Sequence, residues 1–151
     1  MATEIERKFL VTDSSYRAEA VRKTDISQGY LSADPDATVR VRIAGEHAWL
    51  TVKSRNTGAT RGEWEYAVPK ADALEMLSRC CGTRVLEKTR YIVPAANGLR
   101  WEVDEFHGAL EGLVVAEIEL PAEDTPFEKA PFIGEEVTGD PRYYNSSLCP
   151  G

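Results

Sequence analysis

The sequence predicts an α+β protein: an eight-stranded antiparallel β-barrel, a tunnel with a charged lumen, and a few peripheral helices. Three observations point that way. Gly, Pro, Asn and Asp punctuate the 151 residues at short intervals, and most runs between them alternate with the period of two that strands require. Only a few stretches break that period in favour of helix. The alternation is also unusual in kind, because strand after strand sets carboxylates or strong bases against large apolar side chains.

Taken in order, the first strand, Glu4–Val11, puts Glu4, Glu6 and Lys8 on one face and Ile5 and Phe9 on the other, with Arg7 between them. Asp13 to Lys23 has room for a short helix capped by Asp13 or Ser14. A second strand follows at Ile26–Ala33. A third at Thr38–Ala44 sets Arg40 and Arg42 against Val39, Val41 and Ile43. A turn at Ala44-Gly45-Glu46 leads into His47–Arg55, where Thr51 and Lys53 oppose Leu50 and Val52. A second turn within Asn56 to Thr60 precedes Gly62–Val68, with Glu63 and Glu65 against Trp64, Tyr66 and Val68. Ala71 to Cys81 has helical periodicity, with Leu74 and Leu77 on a shared face and Asp72 and Glu75 near the start, where the helix dipole favours them. Three more strands complete the set. Arg84–Val93 sets Lys88 and Arg90 against Tyr91 and Val93, and Leu99–His107 sets Glu102 and Asp104 against Trp101 and Val103. Leu113–Leu120 sets Glu117 and Glu119 against Ala116, Ile118 and Leu120. Pro121 to Pro131 is irregular, and Tyr143 to Leu148 fits a closing turn of helix. The length suits one domain, residues 1–151.

An ordinary sheet with one wet face explains any single strand of this kind. It explains the set less well. Glu63 with Glu65, Glu102 with Asp104, and Glu117 with Glu119 are like charges two residues apart on one face, and such pairs repel unless a cation lies between them. The charged faces are therefore expected to point at one another across a closed barrel. The apolar outside is then covered by helices, loops or a second subunit, the last giving a homodimer. An outer-membrane barrel has the same alternation, but several strands here are too short and Arg7, Glu105 and His107 interrupt the lipid-facing side.

Composition narrows the function. Eighteen bases against 25 acids give a net charge of −7, which argues against binding along nucleic-acid backbones. No run of apolar residues is long enough for a transmembrane helix, so no membrane partner is expected, and Met1 to Leu10 lacks the apolar core of a signal peptide. Cys80 and Cys81 are adjacent and Cys149 is remote, so no disulfide framework is written here. The expected location is the cytoplasm.

Lys8, Arg40, Arg42, Lys53, Lys88 and Arg90, with Arg61 near the rim, form a site for a concentrated anion such as a linear triphosphate. The carboxylate pairs Glu4–Glu6 and Glu117–Glu119 are hard oxygen ligands suited to Mg²⁺ or Mn²⁺. Two histidines and no paired cysteine ligands leave no zinc site, and the phosphate-binding loop GxxxxGK[ST] is absent.

The opening Glu4-Ile5-Glu6-Arg7-Lys8-Phe9 resembles the ExExK signature of the CYTH superfamily, the triphosphate tunnel metalloenzymes. Eight further blocks follow in the expected order, among them Gln28-Gly29-Tyr30-Leu31, Val39-Arg40-Val41-Arg42, Arg61-Gly62-Glu63-Trp64-Glu65 and Gly134-Glu135-Glu136-Val137-Thr138. The resemblance implies a metal-dependent phosphohydrolase acting on inorganic triphosphate, and on nucleoside triphosphates as further substrates. It implies phosphate contacts for Lys8, Arg40, Arg42, Lys53, Lys88 and Arg90, and metal ligation by Glu4, Glu6, Glu117 and Glu119. Glu63, Glu65 and Asp104 match acids that hold a second metal or orient the attacking water. Some members carry a lysine near the C-terminus; here the segment reads Arg142-Tyr143-Tyr144-Asn145, leaving Arg142 or Tyr143 to take that place. A nucleotide cyclase or thiamine-triphosphatase-like enzyme on the same scaffold is one alternative. A polyphosphate-binding module without catalysis is another, disfavoured because acids outnumber bases in the expected lumen.

Overall fold

Cross-strand register turns the alternation into a closed wall. Residues 2–149 are described by a computed structural model, and residues 1, 150 and 151, which the single-domain expectation includes, lie outside the described residues. The strands are β1 (Ala2–Val11), β2 (Arg22–Ser32), β3 (Ala37–Ala44), β4 (His47–Ser54), β5 (Thr60–Val68), β6 (Val85–Pro94), β7 (Arg100–Phe106), β8 (Val114–Glu119) and β9 (Ile133–Glu136). Three helices accompany them: α1 (Tyr16–Glu19), α2 (Lys70–Arg79) and α3 (Asn145–Leu148). The wall runs β5-β4-β3-β2-β6-β7-β8-β1, and β1 returns to β5, closing an eight-stranded antiparallel barrel. β1 makes that closure by changing partners. Ala2 to Ile5 pair with β5 on one side, while Glu6 to Leu10 pair with β8 on the other. Where β5 leaves, β9 takes over along Phe9 to Val11.

The outward faces are covered by the chain itself over most of the barrel. Phe9, Tyr91, Trp101, Val103 and Ile118 pack beneath Tyr16 of α1 and Phe127 and Phe132 of the irregular segment after β8. The rings of Phe9, Phe127 and Phe132 meet Trp101 edge-on at centroid distances of 5.6, 5.9 and 6.4 Å. α2 covers Val41, Ile43 and Ala48 with Ala73, Met76 and Leu77. The polar residues that interrupt the outer face are paired: Arg7 with Glu136 at 2.5 Å, and Glu105 with Tyr16 and Arg17.

Several local expectations are corrected. β2 begins at Arg22, because Arg22 and Lys23 pair with Ile92 and Tyr91, so α1 is confined to one turn. Ser15 occupies its N-cap, and Asp13 accepts the Ser15 N–H at 2.9 Å without capping the helix. Leu74 of α2 is 53% exposed, and the buried face runs through Ala73. Tyr66 on the outside of β5 is also exposed. β9 was not anticipated.

The lumen is not charged along its whole length. Leu10, Leu86, Phe106 and Val115 lie two residues beyond Lys8, Lys88, Asp104 and Glu117 on their strands, hence on the same inward faces. They gather at one end with Leu110 and Leu113 from the β7–β8 connection and Leu148 and Cys149 from the C-terminus. Phe106 and Val115 are almost wholly buried. One end of the barrel is thus floored with apolar side chains.

Candidate active site

Above that floor the inward faces enclose a cavity of about 210 Å³. Every sequence-predicted site residue lines it except Asp104. Registers explain the convergence. Lys53 stands opposite Glu63, Arg40 opposite Thr51, Lys8 opposite Glu117, and Glu6 opposite Glu119. Arg61 stands opposite Glu4. Each pair spans neighbouring strands with side chains on the same face, so eight strands deliver their charges to one volume.

The lining buries both signs of charge, with acids such as Glu4 and Glu117 as deep as most of the bases. Lys88 is 1% exposed, and Arg40, Lys8 and Lys53 are also buried. Glu65, Glu63 and Glu102 are more open, with side chains 43%, 24% and 25% exposed. Near the mouth, Lys53 Nζ donates to both Glu4 carboxylate oxygens at 3.2 Å and reaches Glu63 at 3.3 Å. Arg61 Nε donates to Glu4 at 3.1 Å. Deeper, Arg42 Nε donates to Gln28 Oε1 at 3.1 Å, and Gln28 Nε2 donates to Asn145 Oδ1 at 3.1 Å. Lys88 Nζ donates to the same Asn145 oxygen at 2.8 Å, and Lys8 Nζ to the Tyr143 carbonyl at 3.0 Å.

Asp104 lies behind the lining. Arg90 grips it with two hydrogen bonds, of 2.8 and 2.9 Å, and Lys88 lies at 2.9 Å. Burial alone would raise its carboxyl, but Arg90 and Lys88 hold it at about 2. Burial likewise opposes ionisation of Glu4, which Lys53 and Arg61 overcome, again to about 2. For Lys88 the balance falls the other way: burial, with Arg90 and Arg42 close by, outweighs Asp104 and pushes the amine down to about 7. Burial and the neighbouring Arg40 and Arg90 push Arg42 down to about 9. Among the described residues, Arg40 Nε is the one buried side-chain polar atom without a hydrogen-bond partner. The cavity wall therefore has crowded positive charge at Arg42 and Lys88 and an unused N–H at Arg40, both suited to an anion.

The acids on β1 and β8 show the opposite strain. Burial, then Glu117 and Glu4, push the Glu6 carboxyl well above the ordinary range. Glu117, despite burial, is held well below it by Lys8 and by its hydrogen bond with Glu6. Glu6 is thus harder to ionise beside Glu117 and Glu4, a repulsion that a bound cation would relieve. The donor set of Glu4, Glu6, Glu117 and Glu119 is all carboxylate and fits a hard divalent metal. Among the described residues no three such side chains are already arranged as a finished metal site.

Some lining residues escaped sequence reading. Tyr30 and Gln28 face inward from β2, and Thr138, Tyr144, Asn145 and Ser146 come from the C-terminal segment. The inward parity of Gln28 and Tyr30 was readable, but neither carries charge. Arg142 does not supply the missing lysine: it is exposed and pairs with Asp140 at 2.6 Å.

This site can be set beside known proteins. Residues 2–144 match the CYTH domain family. The chain is 49% identical to the inorganic triphosphatase of Acetivibrio thermocellus, covering 98% of this chain and 94% of that protein. It is 38% identical to the inorganic triphosphatase of Nitrosomonas europaea, covering 97% of each. A crystal structure of an inorganic triphosphatase, 36% identical and covering 100% of this chain and 99% of that one, superposes with a TM-score of 0.67. A putative adenylyl cyclase from Hippeastrum, described with a dominant triphosphatase activity, shares the fold at 15% identity and a TM-score of 0.58, covering 79% of this chain and 80% of that one. By family match and by relatives alike, the chain belongs to the CYTH family.

Proposed function

We propose that the protein is an inorganic triphosphatase, a hydrolase that cleaves a phosphoanhydride bond of tripolyphosphate inside its barrel. The single observation that carries this is the enclosure of seven bases and seven acids in one cavity, with the Arg40 Nε donor buried and unpartnered. Support comes also from relatives that bear that activity in their names.

Arg40, Arg42, Lys53, Lys88 and Arg90, with Lys8, would bind the phosphate oxygens and stabilise charge that develops as the bond breaks. Arg guanidinium forks suit two phosphate oxygens at once. Glu63 and Glu65 stand at the open side, where a water can approach a phosphorus in line and be oriented by a carboxylate. Asp104, sealed behind Arg90 and Lys88, acts through those two bases as a positioning residue. Glu4, Glu6, Glu117 and Glu119 would hold Mg²⁺ or Mn²⁺. When bound, the ion supplies charge neutralisation between carboxylates and phosphate and lowers the pKa of a coordinated water. The enclosing wall excludes bulk water from the bases.

The test is orthophosphate release from tripolyphosphate with Mg²⁺ or Mn²⁺, followed colorimetrically beside Glu6→Ala. Release by the native protein and its loss in the variant are expected. No release above the variant with either metal would sink the proposal.

A further inference from the structure

Two hydrogen-bond donors stand side by side in the lumen wall with nothing in the described residues to receive them. Arg40 Nε is one. The other is the hydroxyl of Tyr30, the cross-strand neighbour of Arg40, which is 3% exposed and lines the cavity. The bases fix the direction of the hydrogen bonds around Tyr30. Arg42 Nε can only donate, so Gln28 presents Oε1 to it at 3.1 Å. Lys88 Nζ can only donate, so Asn145 presents Oδ1 to it at 2.8 Å. Gln28 Nε2 is left to donate twice, to Asn145 Oδ1 and to the Tyr30 hydroxyl oxygen, both at 3.1 Å. Tyr30 is thus an acceptor toward Gln28 and keeps its own proton. Arg40 and Arg42, whose charges bear on the phenol, are donors as well. Among the described residues no carboxylate or carbonyl takes that proton.

A buried O–H without an acceptor is costly, and one in a cavity wall marks a missing partner. A neutral phenol beside a guanidinium matches two oxygens of one phosphate group. The backbone aims the phenol. The register between β2 and β3 shifts between Tyr30 and Ser32, and an irregularity of this kind redirects the adjoining side chain. Arg84 holds the Tyr30 peptide on both sides, its carbonyl accepting the Tyr30 N–H and its Nε donating to the Tyr30 carbonyl, each at 3.0 Å. Burial raises the hydroxyl above its ordinary range despite Arg40 and Arg42, so it stays protonated and able to donate. We propose that Tyr30 is a further substrate-binding residue, whose hydroxyl donates to a phosphate oxygen of bound tripolyphosphate beside Arg40, with Gln28 as the positioning residue that turns the proton toward the lumen. The assignment rests on the triphosphatase reading above and goes beyond it, because the donor is neutral and stands outside the pattern of charges.

The experiment is calorimetric binding of tripolyphosphate to the native protein, Tyr30→Phe, Gln28→Leu and the double variant, with a chelator present so that affinity is read without turnover. Tyr30→Phe removes one oxygen and keeps the ring in the wall, and thermal unfolding checks that each variant is folded. Tyr30→Phe is expected to weaken binding about 10-fold, the loss of one hydrogen bond to a charged group. A merely structural tyrosine acts through Gln28, as the acceptor for its Nε2, so its effect vanishes once Gln28 is gone. Direct contact with phosphate survives that change, and in the Gln28→Leu background loss of the hydroxyl is expected to cost about a further threefold or more. An affinity of Tyr30→Phe within about twofold of native overturns the assignment, as does a loss that disappears in the Gln28→Leu background. The orthophosphate-release assay answers separately. Tyr30-dependent binding without release fails the hydrolase reading alone, and release with binding indifferent to the hydroxyl fails the Tyr30 assignment alone.

Discussion

Lys88 is where burial and charge compete most directly. Its amine, 1% exposed, pairs with Asp104 yet is pushed down to about 7 by burial and by Arg90 and Arg42. Between pH 7 and 10.5 the unfolded chain keeps a proton that the folded chain gives up, so this residue adds stability as pH rises through that window and imposes its full penalty below it. A bound polyanion reverses the balance by favouring the charged amine. Tripolyphosphate binding at pH 8 is therefore expected to take up protons, seen as a dependence of the calorimetric enthalpy on buffer ionisation enthalpy. At pH 6, where the amine is already charged, Lys88 should contribute no uptake. Equal enthalpies across buffers at pH 8 would contradict the assignment, and Lys88→Arg should remove the uptake at pH 8. Asp104 is the other half of the same balance. Asp104→Asn leaves Arg90 and Lys88 buried without their carboxylate, at a cost of about 3–5 kcal/mol. A Tm lowered by roughly 10 °C is expected. An unchanged Tm in thermal unfolding would show that the two bases do not depend on it.

α2 docks on the barrel at a residue chosen for its lack of a side chain. A Cβ on Gly29 of β2 would lie 2.8 Å from both Cys81 Sγ and Leu77 Cδ2. Gly29 is also paired on both sides, with Val41 and Val85, so β2 cannot move away from α2 without breaking the wall. Gly29→Ala is expected to cost about 1–3 kcal/mol by overpacking. Chemical denaturation that finds it as stable as the native protein would mean the helix yields freely. At this scale the sequence was legible wherever alternation was long. Arg40 with Arg42 showed their face because Val39, Val41 and Ile43 all oppose them, and Lys88 with Arg90 showed theirs against Tyr91 and Val93. β9 did not show itself, because four residues after a proline-rich segment carry too short a period, and its strand character comes from pairing with β1. In α2 the choice between Leu74 and Ala73 depended on where the sheet lies, which periodicity alone does not fix. The floor was hidden for a related reason. Leu10, Leu86, Phe106 and Val115 share the parity of the charged residues, but only the closed barrel shows that four separate strand segments end at the same depth. Asn145 reaches Lys88 across 57 positions of sequence, a contact no local pattern announces.

The barrel as a whole carries ionic groups that are only partly satisfied within it, and its stability should follow what occupies the lumen. In acid, Glu4 and Asp104 are both held at about 2, against ordinary values of 4.5 and 3.8. Depressed carboxyls stabilise the fold above their unfolded values and lose that contribution as pH falls toward 2, so unfolding is expected to become easier from about pH 4.5 downward. At neutral pH the deficit has the opposite sign. Arg42 and Lys88 are pushed down, and Arg40 Nε lacks a partner, although the chain as a whole carries a net charge of −7. Surface charge would make an added polyanion repellent, whereas the lumen makes it a missing partner. The two views predict opposite effects of tripolyphosphate on a protein kept free of divalent metal. If the lumen governs, ligand at 100 times its dissociation constant adds about 2.7 kcal/mol of stability. That corresponds to a rise in Tm of roughly 5–10 °C for a chain of this size. Moderate salt should weaken this effect only partly, since buried pairs are poorly screened. Thermal unfolding across a tripolyphosphate series with chelator present decides between them. A Tm that falls or stays level would mean that the bases are neutralised from within, and that the cavity is a set of structural ion pairs instead of a site for phosphate.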